Sequence, residues 1–218
     1  MKTGVVNYEA GNLHSVLNAL RFLQEKPVLI NRPEQLQQVD RLILPGVGSF
    51  GAAIQSLKSR QLFSPIQAWL GNNRPYLGIC LGLQLLFSGS RESPDIPGFD
   101  FFPGLLQRFQ VRRVPQIGWN QVSWQKTCSL TPEPDNPQFF YFLHSYYIPP
   151  EKNRADWVLG LTAYGDISYP TVIQSGNIWG VQFHPEKSGP LGLKLLNNWL
   201  EGAGGSNVNQ KNNSLPGR

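Results

Sequence analysis

Three short stretches carry residue types that can do chemistry. In GICLG, residues 78–82, a cysteine stands between two glycines where a strand-like run turns into a helix-like one. The serine form of this spacing is the elbow that holds a nucleophile in strained backbone at the apex of a strand-to-helix turn. Cys80 has two readings on this motif alone. It is a small buried hydrophobe, as cysteine often is, or a thiolate favoured by the helix N-terminus that follows it.

A thiolate nucleophile needs a proton shuttle, and the chain has three histidines. His14 sits on an amphipathic helical pattern and reads as an exposed or satisfied helix residue. His144 lies in an aromatic strand. His184, in FHPEKSG, is followed by Pro185, which favours an extended path, so His184 and Glu186 can lie on one side and the carboxylate can orient the ring. A lone H-P-E is usually a surface turn. After a strand-like run, and with a cysteine elbow in the same chain, it points to a Cys80–His184–Glu186 triad, in a chain order unlike the Ser…Asp…His of α/β-hydrolases. Cys128, in polar QKTCSL, is incidental, and two free thiols are expected.

The third stretch, PGVGSFG at residues 45–51, has the G-x-G-x-x-G spacing of a dinucleotide site between a strand and a helix. That site also needs an acidic residue near the end of the next strand, and residues 41–91 contain no Asp or Glu. No nucleotide cofactor is expected. The sharp glycine turn instead brings backbone N–H groups close to a ligand, as an oxyanion site requires.

The elements that would position these residues alternate in period. TGVVNY reads as a strand; Leu13, Val16, Leu17, Leu20 and Leu23 recur at helical spacing up to Pro27; PVLI, a short polar helix at 34–39, RLILP, helices at about 52–60 and 65–70, and PYLGIC follow. Strands alternating with helices imply a parallel sheet. Beyond a Pro- and Gly-rich connection at 94–104 the pattern changes to LLQRFQV, WNQVSW, FFYFLHSYYI, WVLGLTAYG, TVIQ and IWGVQF, read as antiparallel additions to that sheet. IQSGNIWG reads as strand, turn, strand, and Leu191, Leu195, Leu196 and Trp199 as a final helix. One domain over 1–202 is expected, with a polar tail at 203–218 expected to be disordered.

The bulk properties narrow the class. The 218 residues, 40% hydrophobic and 11% aromatic, suffice for one core. The net charge of +5 is scattered, without the register of a nucleic-acid surface. No stretch is long and apolar enough to span a membrane and no signal-peptide pattern is visible, so a cytoplasmic enzyme without metal or cofactor is expected.

PGVGSFG, GICLGLQLLF and GVQFHPEKSG, in this order and spacing, resemble the class I, triad-type glutamine amidotransferases. Within them NYEAGNLHSV, VPQIGWNQV, YFLHSYY and HPEKSG resemble the glutaminase subunits of imidazole glycerol phosphate synthases, from about residue 3 to 201. Asn7 and Gln116 depart from the residues most frequent there, Asp and His, and neither belongs to the triad.

The resemblance implies a flavodoxin-like, largely parallel sheet flanked by helices, and hydrolysis of L-glutamine to glutamate and ammonia through a Cys80 thioester. It implies His184 as general base and acid and Glu186 as its orienter, with an oxyanion hole from the N–H of Leu81 and of Val47 or Gly48. It further implies substrate contacts from Gln84 and the backbone of His144, Ser145 and Tyr146. The implied partner is a (β/α)₈-barrel synthase subunit, in a heterodimer that makes imidazole glycerol phosphate and AICAR in histidine biosynthesis, and it faces Asn12, Trp119, Tyr141 and Lys187. Two rivals stand beside this reading. One is the glutaminase of another class I enzyme, for anthranilate, pyridoxal phosphate or GMP synthesis; the other is a catalytically silent binding subunit.

Overall fold

The protein is described by a computed structural model over residues 1–8, 12–131, 137–152 and 155–202. The first half builds strands β1 (Thr3–Val6), β2 (Val28–Ile30), β3 (Arg41–Leu44) and β4 (Tyr76–Ile79) and helices α1 (Leu13–Phe22), α2 (Phe50–Ser59) and α3 (Phe63–Gly71). Residues 33–38 form a 3₁₀ turn where the short polar helix was expected. Helix α2 starts two residues before the apolar pattern suggests because the Ser49 side chain caps it, accepting from the Ala52 N–H at 3.4 Å.

Helix α4 (Leu81–Gln84) is a single turn and runs almost directly into β5 (Phe87–Ser90). Then come β6 (Phe102–Arg108), β7 (Gln116–Trp124), β8 (Gln138–His144), β9 (Tyr146–Tyr147), β10 (Val158–Tyr164), β11 (Ile167–Ser175), β12 (Ile178–Val181) and α5 (Gly189–Gly202).

The main sheet has nine strands in the order β2-β1-β3-β4-β12-β11-β10-β7-β8. From β2 to β12 all neighbours are parallel, and from β12 to β8 all are antiparallel. The β11–β12 hairpin turns tightly, with Ser175 opposite Ile178. One expectation fails: LLQRFQV does not join this sheet. Its strand β6 pairs with β5 and β9 in a separate three-stranded sheet. FFYFLHSYYI is accordingly split at Ser145, with β8 in one sheet and β9 in the other.

The parallel strands read as continuous apolar runs because both their faces are covered. Leu42 and Leu44 pack with α2 and α3 on one face, and Ile43, Leu77 and Ile79 with α1 and α5 on the other. No helix among the described residues is long and apolar enough to cross a membrane. The expected tail at 203–218 lies outside the described residues.

Candidate active site

Cys80 follows β4 directly with φ +53° and ψ −103°, a conformation that L-residues avoid. Two glycines make the turn possible. A Cβ on Gly82 would stand 1.8 Å from the Leu44 carbonyl oxygen, and one on Gly78 would stand 2.5 Å from the Gly82 carbonyl oxygen. The Cys80 N–H donates to the Val181 carbonyl at 2.8 Å, tying the elbow to the neighbouring strand β12. The side chain is almost buried, and its thiol donates to the Leu143 carbonyl at 3.6 Å.

His184 lies three residues beyond β12, whose end is in register with that of β4, Val181 opposite Ile79. Its backbone is pinned by His184 N–H to Tyr141 O at 2.8 Å and by the Ser188 hydroxyl, which donates to His184 O at 2.6 Å. A 3₁₀ turn over Pro185–Lys187 then returns Glu186, so that Nδ1 of the ring donates to Glu186 Oε1 at 2.8 Å with both side chains buried. The Asn12 amide also donates to that carboxylate oxygen. The opposite ring nitrogen, Nε2, is buried with no close hydrogen-bond partner among the described residues. Burial pulls the His184 pKa down, but the charge and side-chain interaction of Cys80, joined by Glu186, outweigh it and raise the pKa to about 10. The surroundings therefore favour the protonated ring beside the Cys80 side chain.

A cavity of about 220 Å³ opens on Cys80, lined by Val47, Gly48, Leu81, Gln84, Glu92, Pro115 and residues 143–146. The polar groups around it are partly committed. Gln84 Nε2 donates to Tyr146 O at 2.9 Å, and Ser145 O accepts from Phe109 N–H at 3.0 Å. His144 turns its ring from the chemistry: Nδ1 donates to Tyr146 O at 2.8 Å, and Nε2 meets the Tyr169 hydroxyl at 3.1 Å. Burial holds its pKa down at about 3, against the Tyr146 carbonyl, so it stays neutral. His14 is exposed on α1.

The glycine turn adjoins this cavity, but its peptide faces the opposite way from an oxyanion hole. Leu81 N–H is taken by the Gly46 carbonyl at 3.4 Å, and in a trans peptide that places the Val47 N–H on the other side. Tyr8, buried beneath, donates its hydroxyl to Pro45 O at 2.8 Å. The α2 N-terminus, where a dinucleotide phosphate would sit, is occupied by Glu92, whose carboxylate accepts from Phe50 N–H at 2.7 Å. Because α4 is one turn long, its dipole is a small influence on the sulfur.

A family model described as Glutamine amidotransferase class-I matches residues 5–203. The chain belongs to the class-I glutamine amidotransferase family. Relatives named imidazole glycerol phosphate synthase subunit HisH are 44% identical in Synechococcus sp. (strain CC9902), covering 92% of this chain and 94% of that one, and 41% identical in Methanocaldococcus jannaschii, covering 91% and 98%. A plant relative from Arabidopsis thaliana, named imidazole glycerol phosphate synthase hisHF, chloroplastic, is 40% identical; the match covers 90% of this chain and 33% of that protein. Among solved structures, a glutamine amidotransferase superposes with a TM-score of 0.72 at 18% identity, over 93% of this chain and 98% of that one. PurLQS from Thermotoga maritima superposes at 0.69 and 17%, over 92% and 97%. At such identities they speak for the fold alone.

Two residues of this candidate site escaped the motif reading. Glu92 lines the cavity with a carboxylate. Gln182, fully buried, donates its amide to Cys80 Sγ at 3.6 Å. Its signal was period two: Gln182 and His184 occupy alternate positions of one extended run. Of the positions assigned to a partner, Trp119 is 55% exposed and meets Tyr141 edge-on at 6.3 Å, and Lys187 Nζ stands 5.9 Å from that ring. Asn12 differs, since its side chain reaches Glu186.

Proposed function

We propose that this chain is the glutaminase half of an imidazole glycerol phosphate synthase. The observation that carries the proposal is the strained Cys80 at the end of β4, set against a buried His184–Glu186 pair at the end of the adjoining strand β12. The names of the relatives supply the substrate and pathway.

In this reading the Cys80 sulfur attacks the carboxamide carbon of L-glutamine. His184 gives its proton to the departing ammonia, a thioester remains, and His184 then takes a proton from the water that releases glutamate. Glu186 keeps Nδ1 protonated and the ring aligned. The Glu92 carboxylate suits the substrate's ammonium group.

The tetrahedral oxyanion needs Leu81 N–H free and Val47 N–H beside it. Both follow from one rotation of the Gly46–Val47 peptide, which withdraws the Gly46 carbonyl.

The ammonia receiver is a (β/α)₈-barrel synthase subunit, seated on β7 and β8. Ile117, Trp119 and Phe139 leave 58%, 55% and 48% of their surfaces exposed there. Trp119 pairs with Tyr141, and Ile117 with Leu143, whose carbonyl touches the Cys80 thiol. Such a patch marks an interaction site. The Arabidopsis relative, three times as long as the matched region, fits a fusion of the two halves.

The test is coupled turnover of glutamine by the purified chain with a candidate barrel synthase and its nucleotide substrate. Glutaminase activity is low alone, rises in the complex and vanishes in Cys80→Ser. Turnover that survives this substitution overturns the mechanism; failure to copurify with the synthase overturns the pathway assignment.

A further inference from the structure

We infer that Gln182 is the hydrogen-bond donor that stabilises the Cys80 sulfur anion, its amide held in one orientation by the Tyr146 carbonyl acting through Gln84. This rests on Cys80 being the nucleophile.

The amide nitrogen and oxygen of a glutamine are distinguished by what they face. A backbone carbonyl can only accept, so the Gln84 atom 2.9 Å from Tyr146 O is the nitrogen. That same nitrogen lies 3.1 Å from the Gln182 amide, which must therefore present its oxygen. The remaining Gln182 atom, 3.6 Å from Cys80 Sγ, is then the NH₂ group, and its N–H points at sulfur. Reversing Gln182 would put two NH₂ groups against each other, and reversing Gln84 as well would put oxygen against the Tyr146 carbonyl. His144 Nδ1, at 2.8 Å, donates to the same carbonyl and fixes it further.

Gln182 has no exposure, and its backbone N–H is anchored to Thr171 O at 2.9 Å. A buried amide is tolerable when its hydrogen bonds are made, and here one of them is made to the reacting atom. The sulfur needs this donor, since the one-turn α4 offers little dipole. The need is greatest when the thioester breaks. Water oxygen bonds to the acyl carbon, its proton goes to His184, and the C–S bond gives its electron pair to sulfur. The Gln182 N–H is already in place for that charge.

The test measures iodoacetamide alkylation of Cys80 in the full chain against pH, with thermal melting as the check of folding. Gln182→Met removes the donor, and Gln182→Glu keeps the volume and the acceptor for Gln84 while losing the donor. Both are expected to slow alkylation at pH 7 by about tenfold or more and to move its profile to higher pH. In the complex, both lower kcat more than they raise KM, with thioester accumulating. A wild-type alkylation profile in either folded variant overturns the inference.

Should both variants fail to fold, the wild-type chain decides by the side-chain amide NMR signals of Gln182. One N–H proton is expected to shift as the thiolate forms and to return on alkylation; no response overturns the inference. The outcomes separate cleanly, because turnover surviving Cys80→Ser removes the nucleophile reading. Unchanged alkylation in the Gln182 variants beside an inactive Cys80→Ser removes the Gln182 inference alone.

Discussion

The two ends of the parallel strands each bury a charged cluster, and the two clusters are built to opposite rules. At the N-terminal ends of β1 and β3, Arg41 donates to Thr3 Oγ1 at 2.8 Å, to Glu25 Oε1 at 2.9 Å and to the Leu200 carbonyl, while the Thr3 hydroxyl donates to Glu25 Oε2 at 2.7 Å. Donors there meet acceptors, and the network ties α5 and the segment that follows α1 to the sheet. At the C-terminal ends of β4 and β12, His184 Nε2 and Glu186 Oε2 are buried with no hydrogen-bond partner among the described residues, and Cys80 has strained backbone. A satisfied cluster holds the fold, whereas one with capacity left over waits for a substrate. Open parallel sheets bind ligands at the carboxyl ends of their strands, and the contrast follows that rule.

The contrast predicts that activity and stability separate. Cys80→Ser is expected to lower glutamine turnover in the complex by more than about a thousandfold, while unfolding by urea shifts by under about 1 kcal/mol. A comparable loss of stability would mean that Cys80 serves the core as much as the chemistry.

Arg41→Met is the converse. It strands Glu25 and should destabilise by about 3 kcal/mol, the low end for a broken buried pair because the Glu25 side chain keeps 23% exposure. At a temperature where the variant is folded, its turnover in the complex should lie within about twofold of wild type. Arg41→Met with Glu25→Leu should regain most of the lost stability. A kcat that falls with Arg41→Met would show the two ends to be coupled.

The sequence exposes these two clusters unequally. The elbow, the H-P-E turn and the β-then-α order were legible because each has a local signature: paired glycines, a proline and a switch of period. GxGxxG was legible as a sharp glycine turn between a strand and a helix, whereas the Glu92 carboxylate that caps that helix has no signal in the motif. Contacts with no local signature stayed out of sight. Arg41 and Glu25 look like surface charges until folding brings them together. The run LLFSGS hides β5, since leucines at successive positions fit a buried strand as well as a buried helix. FFYFLHSYYI cannot declare by alternation that Ser145 passes the chain from one sheet to the other. The direction of the Gly46–Val47 peptide is likewise a property of the assembled site.

The two buried histidines sharpen the comparison, because the same ring is moved in opposite directions at two places around Cys80. His144 has burial against it and stays neutral to about pH 3, while His184 has Cys80 and Glu186 beside it and keeps its proton to about pH 10. Unfolded, both titrate near 6.5. Below pH 6.5 the unfolded chain binds a proton that folded His144 refuses, so His144 makes stability fall with pH, by up to about 1.4 kcal/mol per unit. The His184 contribution runs the other way: complete below pH 6.5, it is lost as pH rises through about 10. Urea unfolding of His144→Asn between pH 4 and 6.5 should therefore show a shallower acid slope than wild type, whatever its stability at pH 7. In Cys80→Ser the uncharged hydroxyl leaves Glu186 alone against burial, so the His184 pKa should fall, read by its imidazole NMR signals, while that of His144 stays low. A His184 titration unmoved by Cys80→Ser would mean that the sulfur does not hold the proton in place, and the two histidines would then differ by Glu186 alone.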